Sequence, residues 1–178
     1  MPAYAGMTIL DRLLPTLLGL LLFLTAFPAA ADVTGKVVSV HDGDTLTVLI
    51  DRRQVRVRLI DIDAPELRQP FGTRSRQSLS NLCFGKMASL NVRGHDRYNR
   101  TLARVSCDGA DANAEQVRRG YAWTFVRYAR EDSPLFALEK EARTAHRGLW
   151  QDPHPIAPWE WRRGVRESSR LSFFSSGS

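Results

Sequence analysis

The chain has 178 residues, with 25 Lys and Arg against 19 Asp and Glu and a formal charge of +6. That length suits one domain with a real core. Two cysteines without a CxxC spacing, and four scattered histidines, exclude a common zinc site. The positive balance points to a polyanionic partner, whether nucleic acid, anionic lipid or acidic glycan, and charge alone does not choose among them.

The first segment stands apart from the rest. Leu13 to Phe27 is almost wholly apolar, follows Arg12, and is bracketed by Pro15 and Pro28. Ala29-Ala30-Ala31 then precedes Asp32. This is the pattern of a secretory signal peptide over residues 1–31, cleaved after Ala31. A spanning helix needs about 20 apolar residues, so the segment is read as an export signal rather than an anchor. The chain would meet a membrane only through this segment, if it stayed uncleaved. Residues 1–31 carry one Arg and one Asp, so the mature chain keeps the +6 charge. In an exported chain, Cys83 and Cys107 are expected to form a disulfide.

Val33 to Val40 has strand composition, and Asp42-Gly43 marks a turn. Leu46, Val48 and Ile50 alternate in a second strand, and Val55, Val57 and Leu59 in a third. Asp51 to Arg53 connects them, which predicts a meander. After Pro70, Thr73 or Ser75 is the expected cap of a short helix carrying Leu79 and Leu82 and ended by Gly85. Ala88, Leu90 and Val92 alternate in a fourth strand, GHDRYNR is a polar turn, and Thr101 to Cys107 is a fifth strand. Asn113 is expected to cap a helix with Gln116 three residues on and Gly120 as its stop. Ser133-Pro134 opens a third helix, with Leu135, Leu138, Ala142 and Ala145 on one stripe and Gly148 at its end.

This order predicts an α+β domain that is mainly β: a five-stranded barrel with about three helices packed on it. The domain is placed at residues 32–161. The tail over 162–178, ending LSFFSSGS, has no clear period and is expected to lack fixed structure.

The chemistry concentrates at VRVRLIDIDAPE, Val55 to Glu66, where a strand runs into Asp61, Asp63 and Glu66. Pro65 bends the chain away from the ladder, which can bring Glu66 beside Asp63. DGDT, Asp42 to Thr45, is a second acidic turn at the end of a neighbouring strand. Together they would make a pocket of oxygen ligands suited to a hard cation. Either motif alone is more economically read as a turn with solvated acids. The pair gains weight from Arg58 and Arg100, because guanidiniums beside a metal pocket suit a phosphodiester.

With these residues in place, the chain resembles the thermonuclease, or staphylococcal nuclease-like, family. DGDT, VRLIDIDAPE, DRYNR (Asp96–Arg100), NAEQVRRGYAW (Asn113–Trp123) and LEKEARTAHRGLW (Leu138–Trp150) appear in the family's order and span most of 33–150. The resemblance implies an OB-fold barrel and a calcium-dependent (Ca2+) nuclease acting on DNA and RNA, with 3′-phosphorylated products. It implies Asp44, Asp63 and the Ala64 carbonyl as metal ligands, where Ala64 replaces the founding member's threonine. Glu66 matches the general base, Arg58 and Arg100 the phosphate-binding arginines, and Tyr128 a tyrosine that packs on the nucleotide. Asn99 replaces the glycine usual before the second arginine, and asparagine tolerates the left-handed backbone. Asp61 is left over and is expected to face solvent. No stable protein partner is implied, and a monomer is expected. The competing readings are a non-catalytic OB-fold module that binds single-stranded nucleic acid, and a basic scaffold for acidic envelope polymers.

Overall fold

The computed structural model describes residues 33–164, so the expected signal peptide and the tail beyond residue 164 lie outside the described residues. The elements in chain order are β1 (Val33–Val40), β2 (Thr45–Ile50), β3 (Arg53–Leu59), β4 (Ile62–Asp63), α1 (Gly72–Cys83), β5 (Met87–His95), β6 (Thr101–Cys107), β7 (Ala110–Asp111), α2 (Ala112–Arg118), β8 (Trp123–Thr124) and α3 (Leu135–Thr144). A 3-10 turn follows at Gly148–Gln151, and residues 158–164 form a last helix, α4.

β1, β2 and β3 are the predicted antiparallel meander. β1 also pairs with β5, and β5 with β6, both antiparallel. The sheet then closes, because β6 runs parallel to β3 with Val57 opposite Thr101 and Arg58 opposite Leu102. Five strands, β1, β2, β3, β5 and β6, thus make a closed barrel of OB-fold type with helices packed around it. Closure removes the open sheet edges that a flat sheet would leave unpaired.

The alternation read in the sequence is the reason. Val37, Leu46, Val48, Val57, Leu59, Leu90, Ala103 and Val105 are all buried in one core cluster, together with Leu79 and Leu82 of α1 and Leu135 of α3. A smaller cluster joins Ala142, Leu149 and Trp150 with Phe71 and Trp123. Cys83, at the end of α1, is bonded to Cys107, at the end of β6, with their Cα atoms 5.2 Å apart. The bond closes a 24-residue separation. On chain-entropy grounds it restricts the unfolded state by about 3–4 kcal/mol. Reductant is therefore expected to lower the thermal midpoint by several degrees. An unchanged midpoint after verified reduction would show that the bond contributes nothing.

The helix starts differ from the expected ones. α1 starts at Gly72, with Phe71 in a left-handed conformation before it and no side-chain cap, so neither Thr73 nor Ser75 caps it. Ser75 instead donates to the Tyr121 carbonyl (2.6 Å). α2 is capped by Asp111, which accepts from the Ala114 amide at 3.1 Å. Asn113 is buried and bridges, accepting from the Val105 amide and donating to the Ile60 carbonyl. Ala145 lies past the end of α3 and is exposed rather than part of its buried stripe. Residues 162–164, assigned to a tail on sequence, continue the α4 helix.

Candidate active site

The acidic corner begins where β3 ends. Arg58 lies on the outer face of the barrel, between inward Val57 and Leu59. The chain then turns sharply at Asp61, whose φ is 62°. β4 follows, and its Asp63 pairs with Trp123 of β8. The DGDT turn is laid against this corner by the backbone. The Leu59 amide donates to the Asp44 carbonyl (2.8 Å), and the Ala64 amide donates to Asp44 Oδ2 (2.7 Å). Gly43 is required there by space. A Cβ on it would lie 1.8 Å from Ser75 Oγ and 2.7 Å from the Ala64 Cβ. Buried Gln116 of α2 donates to the Gly43 carbonyl (2.7 Å) and to the Ser75 carbonyl (3.1 Å), tying the turn to two helices.

Two carboxylates from separate turns therefore meet. Asp44 and Asp63 are 5% and 2% exposed, a depth at which a charge needs a partner. Arg58 supplies one to both: its Nε is 3.0 Å from Asp44 Oδ1 and its Nη2 is 3.1 Å from Asp63 Oδ1. Its Nη1 donates to the Leu59 carbonyl. Thr45 Oγ1 donates to Asp44 Oδ1 (3.0 Å), and the Asp44 amide donates to Asp42 Oδ1 (3.0 Å). Glu66 stands beyond Pro65 at the open rim, its side chain 42% exposed.

One member of this cluster was missed on sequence. Arg162, on α4, puts Nη2 2.6 Å from Asp63 Oδ2 and Nη1 2.8 Å from Glu66 Oε1. The spacing of Trp159 and Arg162, three apart after Pro158, is a helical-face signal, but the target of that face lies 99 residues away in sequence.

Burial pushes the Asp63 carboxyl above its usual range, and the Asp44 charge adds to this, while hydrogen bonds from Arg162 and the charges of Arg58 and Arg162 oppose it. Asp42 is pushed up to about 7, first by burial and then by the neighbouring Asp44 charge. Burial alone would lower Arg162, but its bonds to Asp63 and Glu66 raise it. Burial thus opposes the charged forms of Asp42 and Asp63, and a cation bound beside them would favour those forms.

The donor chemistry fits a hard cation: the carboxylates of Asp44 and Asp63 converge, and no imidazole or thiolate bonds them among the described residues. Among the described residues no three Asp, Glu, His or Cys side chains enclose a metal by themselves. An ion here would complete its shell from carbonyls and water, as calcium does with its roughly six to eight oxygens.

Two residues assigned to the site on sequence, Arg100 and Tyr128, have their side-chain contacts with residues outside the acidic cluster, and Asp61 departs from its expected exposure. Arg100 sits just before Thr101, beside the rim of β3, but its Nε and Nη2 are held by Asp96 Oδ2 at 2.8 and 2.7 Å. Asn99 does adopt the left-handed backbone there, with φ 59°. Tyr128 is 66% exposed and sits edge-on to Phe125, which stacks on Trp159. Asp61 is half-buried rather than solvent-facing, and its carboxyl is raised by burial against the nearby charges of Arg104 and Arg93. Its carbonyl accepts from the Phe125 amide (2.8 Å).

Comparison with known sequences agrees with this architecture. A family model described as staphylococcal nuclease homologue matches residues 56–152. The chain is 43% identical over 154 residues to "Protein ParB" of Escherichia coli, covering 81% of this chain and 87% of that protein. It is 40% identical over 156 residues to "Micrococcal nuclease" of Shigella flexneri, covering 82% and 90%. It is 42% identical over 160 residues to "Uncharacterized endonuclease" of Haemophilus influenzae, covering 88% of each. The chain belongs to the staphylococcal nuclease family.

Proposed function

We propose that this protein is an exported, calcium-dependent nuclease that hydrolyses the phosphodiester bonds of DNA and RNA and leaves 3′-phosphorylated products. The observation that carries the reading is the convergence of buried Asp44 and Asp63 on one guanidinium, with Glu66 at the open edge beside them. Relatives named micrococcal nuclease and endonuclease support the reaction class. Export is inferred from the sequence pattern of residues 1–31, and the Cys83–Cys107 bond suits an oxidising compartment.

Asp44, Asp63 and the Ala64 carbonyl would hold the ion. When bound, calcium supplies Lewis-acid polarisation of the phosphate and fixes its orientation. Arg58 neutralises charge on the phosphate oxygens, and its stabilisation grows as that charge concentrates in the transition state. Glu66 takes the proton of a water whose oxygen attacks phosphorus. The bond from phosphorus to the 5′-oxygen breaks, the 5′-oxygen takes up a proton from solvent water, and the phosphate stays on the 3′-oxygen.

The test is cleavage of single-stranded DNA and of RNA in calcium and in EGTA, with the product ends identified. Cleavage in calcium that stops in EGTA and leaves 3′-phosphates supports every part of the reading. Full activity in EGTA would remove the metal, and binding without cleavage would favour a nucleic-acid-binding module instead.

A further inference from the structure

α4 is seated by its aromatic residue. Trp159 lies 5.7 Å from Trp123 and stacks on Phe125 with centroids 5.5 Å apart. Trp123 is in turn the ladder partner of Asp63. One two-residue ladder thus positions both the seat of the helix and the carboxylate that the helix reaches. One turn beyond Trp159, the Arg162 guanidinium spans Asp63 Oδ2 (2.6 Å), Asp63 Oδ1 (3.3 Å) and Glu66 Oε1 (2.8 Å).

Arg58 Nη2 and Arg162 Nη1 therefore meet at the same oxygen, Asp63 Oδ1. Their surroundings differ: the Arg58 side chain is 14% exposed and that of Arg162 is 35%. A guanidinium has five N–H groups. Among the described residues, the Nε hydrogen of Arg162 and one on Nη2 have no protein acceptor. Two planar forks thus converge on the acids, one deep and one open to solvent. Arg100 is bonded to Asp96 instead of these acids, through Nε and Nη2.

We propose that Arg162 is a phosphate-binding residue of this site, and that the substrate phosphodiester takes the place of Glu66 as its partner. This rests on the nuclease reading. A phosphate presents two oxygens to a planar fork and competes well for it. Among the described residues the other oxygen of Glu66, Oε2, has no bonded donor, so the contact with Arg162 holds the carboxylate in place and leaves an oxygen for water. Arg162 therefore exchanges one oxygen partner for another as the substrate binds, while its bond to Asp63 keeps it in place.

The experiment uses the mature, disulfide-bonded chain as wild type, Arg162→Lys and Arg162→Ala. It reads kcat and KM on single-stranded DNA in calcium, the affinity for thymidine 3′,5′-bisphosphate by calorimetry, and the thermal midpoint. Arg162→Ala is expected to lose about a hundredfold or more in kcat/KM, the loss typical of one transition-state donor, and to bind the bisphosphate at least about tenfold more weakly. Arg162→Lys keeps the charge without the fork and is expected to fall between the two. If Arg162→Ala does not fold, Arg162→Lys decides by the same measurements against wild type. A folded variant equal to wild type in both readouts overturns the role. So does lost turnover with unchanged bisphosphate affinity, which would mean that Arg162 only positions Glu66. A wild type that cleaves nothing overturns the nuclease reading itself, and this role with it.

Discussion

Glu66→Gln is expected to fold like the wild type, to bind single-stranded DNA, and to lose turnover by about a hundredfold or more, the usual range for a missing general base. The change removes a proton acceptor and keeps the shape. Glu66 is half-exposed and its bond to Arg162 is at the rim, so little stability is at stake. Arg58→Lys should reach a comparable loss by another route. Arg58 meets Asp44 through Nε, Asp63 through Nη2 and the Leu59 carbonyl through Nη1, and an ammonium cannot span three acceptors set in that plane. This variant is expected to be measurably less stable as well, because one buried carboxylate loses its partner. The measurements are single-turnover cleavage and thermal denaturation on each variant. Wild-type cleavage by purified Glu66→Gln would falsify the assignment of the base.

Asp44 should behave as a different kind of residue. Its carboxylate accepts from the Ala64 amide, from Thr45 Oγ1 and from Arg58, so it fastens the DGDT turn to the Asp63 corner in addition to its proposed part in holding the metal. Asp44→Ala is expected to raise the calcium needed for half-maximal activity by more than about tenfold, since even outer partners of metal ligands cost about 10–100-fold in affinity. Added calcium should restore part of the activity, which it cannot do for Glu66→Gln. The metal-free midpoint should also fall, because Arg58 and the Ala64 amide lose a buried acceptor. Asp44→Asn, which retains an acceptor for that amide, should keep more of the midpoint while losing calcium affinity. Calcium titrations of activity and of the melting curve read both effects. Unchanged calcium dependence in Asp44→Ala would dismiss Asp44 as a ligand.

What was legible in the sequence followed from how far each signal reaches along the chain. The five barrel strands alternate over six to nine residues, long enough for a period to show. β4 and β8 have two residues each, and a two-residue strand has no period. Yet this ladder sets Asp63 against Trp123 and so fixes the centre of the site. The misread caps have a related cause. Asn113 is a good capping residue by type, but the Val105 amide and the Ile60 carbonyl, distant in sequence, claim its side chain. Gln116 is likewise taken from the helix start by the carbonyls of Gly43 and Ser75. Asp44, Asp63, Ala64 and Glu66 could be proposed together on sequence because each lies within DGDT or DAPE, short motifs that a few adjacent residues define. Arg162 could not, since its contacts with Asp63 and Glu66 depend on where its helix docks.

The disulfide has a topological consequence as well as an energetic one. The turn from Asp96 to Arg100 stands out from the barrel, with Tyr98 65% exposed at its tip and arginines on either side of it. It is an accessible place for a protease to sever the backbone. Cys83 lies before that point and Cys107 after it, so severing the turn does not yield two molecules. The β5–β6 ladder continues to align the two pieces, and the covalent bond prevents them from diffusing apart. Asp44, Asp63 and Glu66 would lie on one piece and Arg162 on the other. The acidic cluster can therefore survive as a unit of two chains.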